Sequence, residues 1–281
     1  MLLCLSIENI FDRLKKNLSF KIKMMIKKIR TFSLFLLCIL LTGCAHKNPL
    51  TEFQFQTVTA PPYVLASWYK IEAPGEYIRI YIEGDGHSFD AYNRPTNNPT
   101  PHSTFLRDIA AKDPHPNVVY LARPCQYLQT STCIQNDWTC ARFSPQIINS
   151  MAQSINLFAK KARSQKIVLI GYSGGAQVAG LIAVKQPQKI QKLITIAGVL
   201  DQEAWTSYHK DTPLTGSLNL KDYQDSLSSI PQIHFIGEKD KVVPPHLTKT
   251  FVQDDSKIVI VPKANHQDGF EKVLNDIYQS N

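Results

Sequence analysis

A strand-like run, Lys166-Ile-Val-Leu-Ile170, leads straight into Gly171-Tyr172-Ser173-Gly174-Gly175 and then Ala176-Gln-Val-Ala-Gly-Leu-Ile-Ala183. A serine in G-x-S-x-G between a strand and a helix sits on a sharp, strained turn, with small neighbours two positions away so that strand and helix can approach. The bare pattern is weak, arising by chance in roughly one chain in ten. Read alone, it is also a helix-initiating turn that Ser173 merely caps. The flanking strand and helix favour a nucleophile. A serine hydroxyl needs a base to take its proton, and the base needs a carboxylate to fix its tautomer and stabilise the imidazolium. Both follow. Ile233-His-Phe-Ile236 ends in Gly237-Glu238-Lys239-Asp240-Lys241-Val242-Val243-Pro244, which places Asp240 on the loop after a buried strand. Lys257-Ile-Val-Ile-Val261 leads to Pro262-Lys263-Ala264-Asn265-His266, a histidine on the loop after the next strand. Ser173, Asp240 and His266 in that order point to acyl transfer through a covalent intermediate.

These residues need a sheet to hold them. Apolar, β-branched runs fall at 62–71, 77–83, 117–122, 167–170, 193–197, 232–236 and 257–261. Helical stretches separate the later ones. The clearest is 145–164, where Ser144-Pro145 supplies an N-cap and an N1 proline, and Ile147, Ile148, Met151, Ile155, Phe158 and Ala159 recur at helical spacing. Others are expected at about 174–185 and 269–279. Such alternation predicts βαβ units in one mostly parallel twisted sheet with helices on both faces. Pro74-Gly75 reads as a hairpin-like turn joining the first two runs, which makes the leading edge antiparallel.

Taken together, the three motifs at three strand ends make residues 62–281 resemble the α/β-hydrolase superfamily. The resemblance implies Ser173 as nucleophile, His266 as general base and Asp240 as its orienter. Asp201, after the strand ending near Ala197, is the rival acid, because some members use that strand end. The oxyanion of the tetrahedral intermediate needs two backbone N–H donors. Gly174, just after the nucleophile, supplies one, and Asp85 in Gly84-Asp85-Gly86-His87 after the strand 77–83 supplies the other, its carboxylate turned away. The HG or HGGG form of many esterases does not occur there, and an ordinary Gly-Asp-Gly turn is the plainer reading. His234 and His246 read as a core residue and a solvent-facing one, while His87 lies beside the oxyanion loop. Trp138 and Trp205 read as packing residues in loops that could rim a site. Arg123-Pro-Cys-Gln-Tyr127 and the stretch 198–218 look like segments of bacterial α/β-hydrolase-like proteins of unassigned substrate.

The chain has 281 residues and a formal charge of +8, which invites a nucleic-acid or membrane-surface partner. Its distribution argues otherwise. Residues 1–43 hold eight basic and two acidic residues, leaving 23 basic against 21 acidic of the chain's 31 and 23. Lys27, Lys28 and Arg30 precede the apolar run Phe32–Leu41, about half the length a spanning helix needs, so 1–43 reads as a signal peptide. Translation starting at Met24 or Met25 would shorten its leading region to ordinary length. Leu41-Thr42-Gly43-Cys44 resembles the lipobox of bacterial lipoproteins, which implies acylation of Cys44. The alternative is a plain cleaved signal, or a short anchor, with Cys44 incidental. Residues 44–61 read as a tether, and Ala45 points to the outer membrane, with the protein facing the periplasm. Of six cysteines, Cys125, Cys133 and Cys140 remain for an oxidising compartment. One disulfide is expected among three pairings, with Cys125–Cys133 favoured. Metal binding ranks low, since no histidine lies among them at ligand spacing.

The expectation is therefore a lipid-anchored serine hydrolase of small esters that needs no metal or organic cofactor and binds no nucleic acid. Only 33 residues, 199–231, separate the Ser-side and Asp-side strands, which leaves no room for a large lid. The same triad serves thioesterases, peptidases and acyltransferases, and a non-catalytic envelope scaffold is the reading from another class.

Overall fold

A computed structural model of the chain describes residues 52–280. The expected signal peptide, Cys44 and the tether up to residue 51 lie outside them. Eight strands form one sheet in the order β1-β2-β4-β3-β5-β6-β7-β8. They are β1 (Gln54–Ala60), β2 (Tyr63–Ile71), β3 (Ile78–Ile82), β4 (Asn117–Leu121), β5 (Ile167–Tyr172), β6 (Ile190–Ile196), β7 (Gln232–Gly237) and β8 (Ile258–Val261). Strands β3 to β8 run parallel, and β1 and β2 are antiparallel at the leading edge.

Every residue of β3, β4 and β5 is buried, the mark of parallel strands covered on both faces. Ile78, Ile80 and Ile82 pack on one side with α2 (Pro145–Lys161) and α3 (Gly174–Lys185), and Tyr81 packs on the other with α1 (Phe105–Lys112) and α7 (Leu274–Gln279). Arg79, buried in the sheet centre, pairs with Asp113 and donates to the carbonyls of Ile277 and Tyr278, which ties the last helix to β3. Helix α2 starts where expected, with Ser144 Oγ accepting the Ile147 N–H at 3.3 Å, and stops at Lys161 rather than 164. The expected closing helix is split into a 3-10 turn, Phe270–Val273, followed by α7. Between the later strands lie α4 (Gln202–His209), α5 (Gln224–Ser228) and α6 (Pro245–Val252).

Two expectations are corrected. Residues 54–60, assigned to the tether, form edge strand β1: Val58 and Ala60 turn inward, while Phe55 on the outer face lies 5.0 Å from the Trp68 ring. Of its four exposed residues only Phe55 is apolar, so the segment reads as polar. Pro74-Gly75 does not close a hairpin either. The antiparallel hairpin is β1–β2, and β4 lies between β2 and β3. A strand as apolar as β3 gains most by pairing with a neighbour on each side.

The parallel topology brings the C-terminal ends of β3, β5, β7 and β8 to one edge. Four loops meet there.

Candidate active site

Ser173 sits at φ 50° and ψ −124°, between β5 and α3. A non-glycine residue held there costs about 1–3 kcal/mol and persists only where its surroundings enforce it. Here they do. Its N–H donates to Ile196 O at 3.1 Å, and its carbonyl accepts the N–H groups of Ala176 and Val199. A Cβ at Gly171 would lie 2.5 Å from Ala176 Cα, and one at Gly175 would lie 2.3 Å from Ile82 O. Both clashes are with backbone, so both flanking glycines are required for the turn to pack against its own helix and against β3.

His266 Nε2 lies 3.0 Å from Ser173 Oγ, and His266 Nδ1 lies 2.8 Å from Asp240 Oδ2. A carboxylate can only accept, so Nδ1 carries the proton and Nε2 is free to accept the serine hydroxyl. Asp240 is held in turn: its Oδ1 accepts the N–H groups of Val242 and Val243, each at 2.8 Å, and its side chain is wholly buried. The Tyr172 ring packs 5.2 Å from the imidazole. Asp201 is elsewhere engaged, capping α4 through the N–H groups of Glu203 and Ala204 and accepting from Asn219 Nδ2.

The turn after β3 is braced by side chains from distant segments. The Asp85 carboxylate accepts Arg123 Nη1 on Oδ1 and Arg142 Nη1 on Oδ2, the latter at 2.5 Å. Burial raises the Asp85 carboxyl, but Arg142 and Arg123 overcome it and hold the group below the usual range. Gln126 Nε2 donates to Gly84 O at 2.9 Å, and its Oε1 accepts Arg123 N–H at 3.0 Å. The Gly84 N–H donates to buried Glu83, which also accepts the Tyr120 hydroxyl. Burial pushes the Glu83 carboxyl up. The segment Arg123–Tyr127 is therefore the back wall of this turn, and Cys125 within it is bonded to Cys133, Cα atoms 5.7 Å apart. Cys140 is a free, half-buried thiol.

The carboxylate of Asp85 does not turn fully away. Its Oδ1 would stand 2.1 Å from a Cβ on Gly174, so it rests against that Cα while the two arginines hold it. The N–H groups of Asp85 and Gly174 donate to no group among the described residues.

Ser173 and His266 open into a cleft of about 450 Å³. His87 lines it, stacked on His102 with ring centres 4.1 Å apart. Trp205 lines it from α4, a helix rather than a loop, its Nε1 donating to Val242 O. Trp138 is buried in a 3-10 turn and donates to Thr96 O. His234 is fully buried beside Thr195 Oγ1, and burial with Lys257 nearby pulls it down to about 3, so it stays neutral. His246 is exposed. Arg142 and Glu83 escaped the sequence reading. Arg123 and Gln126 were singled out only as part of a family-like segment.

A family model described as Serine hydrolase (FSH1) matches residues 120–266. No curated protein matches the sequence. Among solved structures, an esterase from Pyrococcus furiosus superposes with a TM-score of 0.54 at 15% identity, covering 82% of this chain and 90% of that one. Est1E from Butyrivibrio proteoclasticus gives 0.59 at 14% identity, covering 80% and 96%. An α/β serine hydrolase homologue from Coxiella burnetii gives 0.50 at 17% identity, covering 80% and 94%. The fold is that of the α/β hydrolases.

Proposed function

The chain belongs to the Serine hydrolase (FSH1) family, and from that premise we propose that it cleaves small carboxylic esters through an acyl-enzyme on Ser173. The observation that carries this is the relay of 3.0 Å from Ser173 to His266 and 2.8 Å from His266 to Asp240. As Ser173 Oγ attacks the carbonyl carbon, His266 Nε2 takes its proton and Asp240 stabilises the imidazolium. The carbonyl oxygen becomes an oxyanion facing the N–H groups of Asp85 and Gly174, both undonated in the free site. Collapse breaks the ester C–O bond, and His266 returns the proton to the departing alkoxide. Water then attacks the acyl carbon with His266 again as base, and Ser173 leaves with the proton. The open cleft, with no large lid over it, suits small or flexible esters.

A fluorophosphonate probe tests the nucleophile. Wild type labels and Ser173→Ala does not, and hydrolysis of 4-nitrophenyl acetate falls to the background rate in the variant. Labelling or turnover that survives in Ser173→Ala overturns the mechanism, and an unlabelled wild type favours a scaffold. A panel of ester, thioester and peptide substrates separates esterase from the other acyl-transfer chemistries.

We further infer attachment to the cell envelope through acylated Cys44, with the catalytic domain on the periplasmic side of an outer membrane. Support comes from the apolar run Phe32–Leu41 followed by Leu41-Thr42-Gly43-Cys44. Metabolic labelling with palmitate should mark wild type and not Cys44→Ala.

A further inference from the structure

Resting on the esterase reading, the cleft carries a feature that ester hydrolysis alone does not require. Arg142 is 5% exposed and lines both the cleft that holds Ser173 and a neighbouring cavity. Its Nε donates to Thr139 O at 2.7 Å and its Nη1 to Asp85, with the guanidinium stacked near Phe89. Its Nη2 has no partner among the described residues. A buried guanidinium with an unspent donor is an anion site, because arginine stays charged and its planar fork matches a carboxylate.

The charges around it agree. Asp85 is shared between Arg142 and Arg123, so this cluster of two arginines and one carboxylate retains a positive charge. The other acid lining the cleft, Glu83, is occupied by Tyr120 and the Gly84 N–H. Each oxygen of Asp85 and Glu83 already accepts a hydrogen bond, so neither acid turns an unpaired oxygen to the cleft. Arg142 also lines a second cavity, where the Asp211 carboxylate would repel an anion, so the anion is placed on the Ser173 side. Asp85 touches both Arg142 and Gly174, so the site lies close to the scissile carbonyl.

We propose that the substrate is an ester bearing a carboxylate a few bonds from its scissile carbonyl, and that Arg142 receives that carboxylate through Nη2. The test compares kcat/KM for monomethyl glutarate with methyl pentanoate, placing the charge on the acyl side, and for 4-acetoxybutanoate with butyl acetate, placing it on the alcohol side. Wild type should favour the charged ester of one pair by about 10- to 100-fold, the range of a hydrogen bond to a charged group. Arg142→Gln should lose that preference and Arg142→Lys should keep part of it. Equal rates within both pairs, or a preference unchanged in Arg142→Gln, overturns the proposal. Should Arg142→Gln fail to fold, wild type decides: glutarate should compete with 4-nitrophenyl acetate and neutral glutaramide should not, and equal or no inhibition overturns it. Failure of the esterase reading looks different, since no ester in either pair is then cleaved.

Discussion

Gly174→Ala probes the geometry of the proposed oxyanion site with a single methyl group. The added Cβ would stand 2.1 Å from Asp85 Oδ1, whereas ordinary contact begins at 3.4 Å, so the carboxylate must retreat by the difference, 1.3 Å. It cannot do so and keep both arginines. Arg123 Nη1 stands 3.1 Å from the same Cβ and bonds the oxygen that is displaced. Losing one or two charge-assisted hydrogen bonds destabilises the fold by about 1.5–3 kcal/mol each. Moving the Asp85 N–H off target removes one oxyanion donor, a loss of about 10²–10³ in kcat. A double-mutant cycle separates the clash from a general defect. Asp85→Ala removes the obstacle, so Gly174→Ala added to it should cost little more in kcat or in urea-unfolding free energy. The predicted coupling is about 2 kcal/mol or more, well above the scatter of additive pairs. If Gly174→Ala alone leaves kcat intact, or if the two changes simply add, Asp85 does not pack as described and its N–H is not the donor.

Asp240→Asn should lower kcat by about 10³–10⁴-fold with KM little changed, because the amide favours the wrong tautomer of His266; steady-state kinetics on 4-nitrophenyl acetate would contradict this with a loss under tenfold. The Cys125–Cys133 bridge spans a sequence separation of 8, so replacing both cysteines by serine should lower unfolding free energy by about 2–3 kcal/mol, read by urea melts; an unchanged midpoint would refute it. His234 titrates near 6.5 when unfolded and at about 3 when folded. Above 6.5 both states are neutral. Between 6.5 and 3 the unfolded chain binds a proton the folded one refuses, so acid removes up to about 1.4 kcal/mol per pH unit. Glu83, pushed up by burial, acts in the opposite sense. The readout is therefore wild type minus His234→Gln, a difference that should fall steadily from pH 7 to 4 and that speaks against a neutral His234 if it stays level.

Central strands β3 to β7 were legible because burial on both faces favours continuous apolar runs, and edge strand β8 because Ile258–Val261 is apolar throughout although Ile260 is exposed; the ends of those runs located Ser173, Asp240 and His266. Edge strand β1 was not, since a strand with one wet face may be built from Gln and Thr. Nor was the insertion of β4 between β2 and β3, because strand order is set by non-local pairing that no local pattern records. The same limit hid Arg142. Its carboxylate partner lies 57 residues away, and an arginine in a loop is by composition a surface residue. Asp85 could be placed on the right turn from the strand before it, yet the position of its carboxylate depends on two residues that arrive from elsewhere in the chain.

That dependence has a physical logic. Backbone donors stabilise a developing charge only when they are already aimed before it appears, and Gly84-Asp85-Gly86 has little stiffness of its own, with Gly86 at φ 65°. The nucleophile side of the site is stiffened by the sheet and α3. The β3 side has no helix start to lean on, so its rigidity comes from side chains: Gln126 on the Gly84 carbonyl, Glu83 on the Gly84 N–H, and Arg123 and Arg142 on Asp85. Stranding a buried charge is costly, so removing any member of the cluster is strongly destabilising. A turn held in this way is closer to a two-state element than to a flexible loop. Substitutions at Gln126 or Arg123, which stand behind the turn and do not line the cleft, should then act on kcat nearly as sharply as changes to the turn itself.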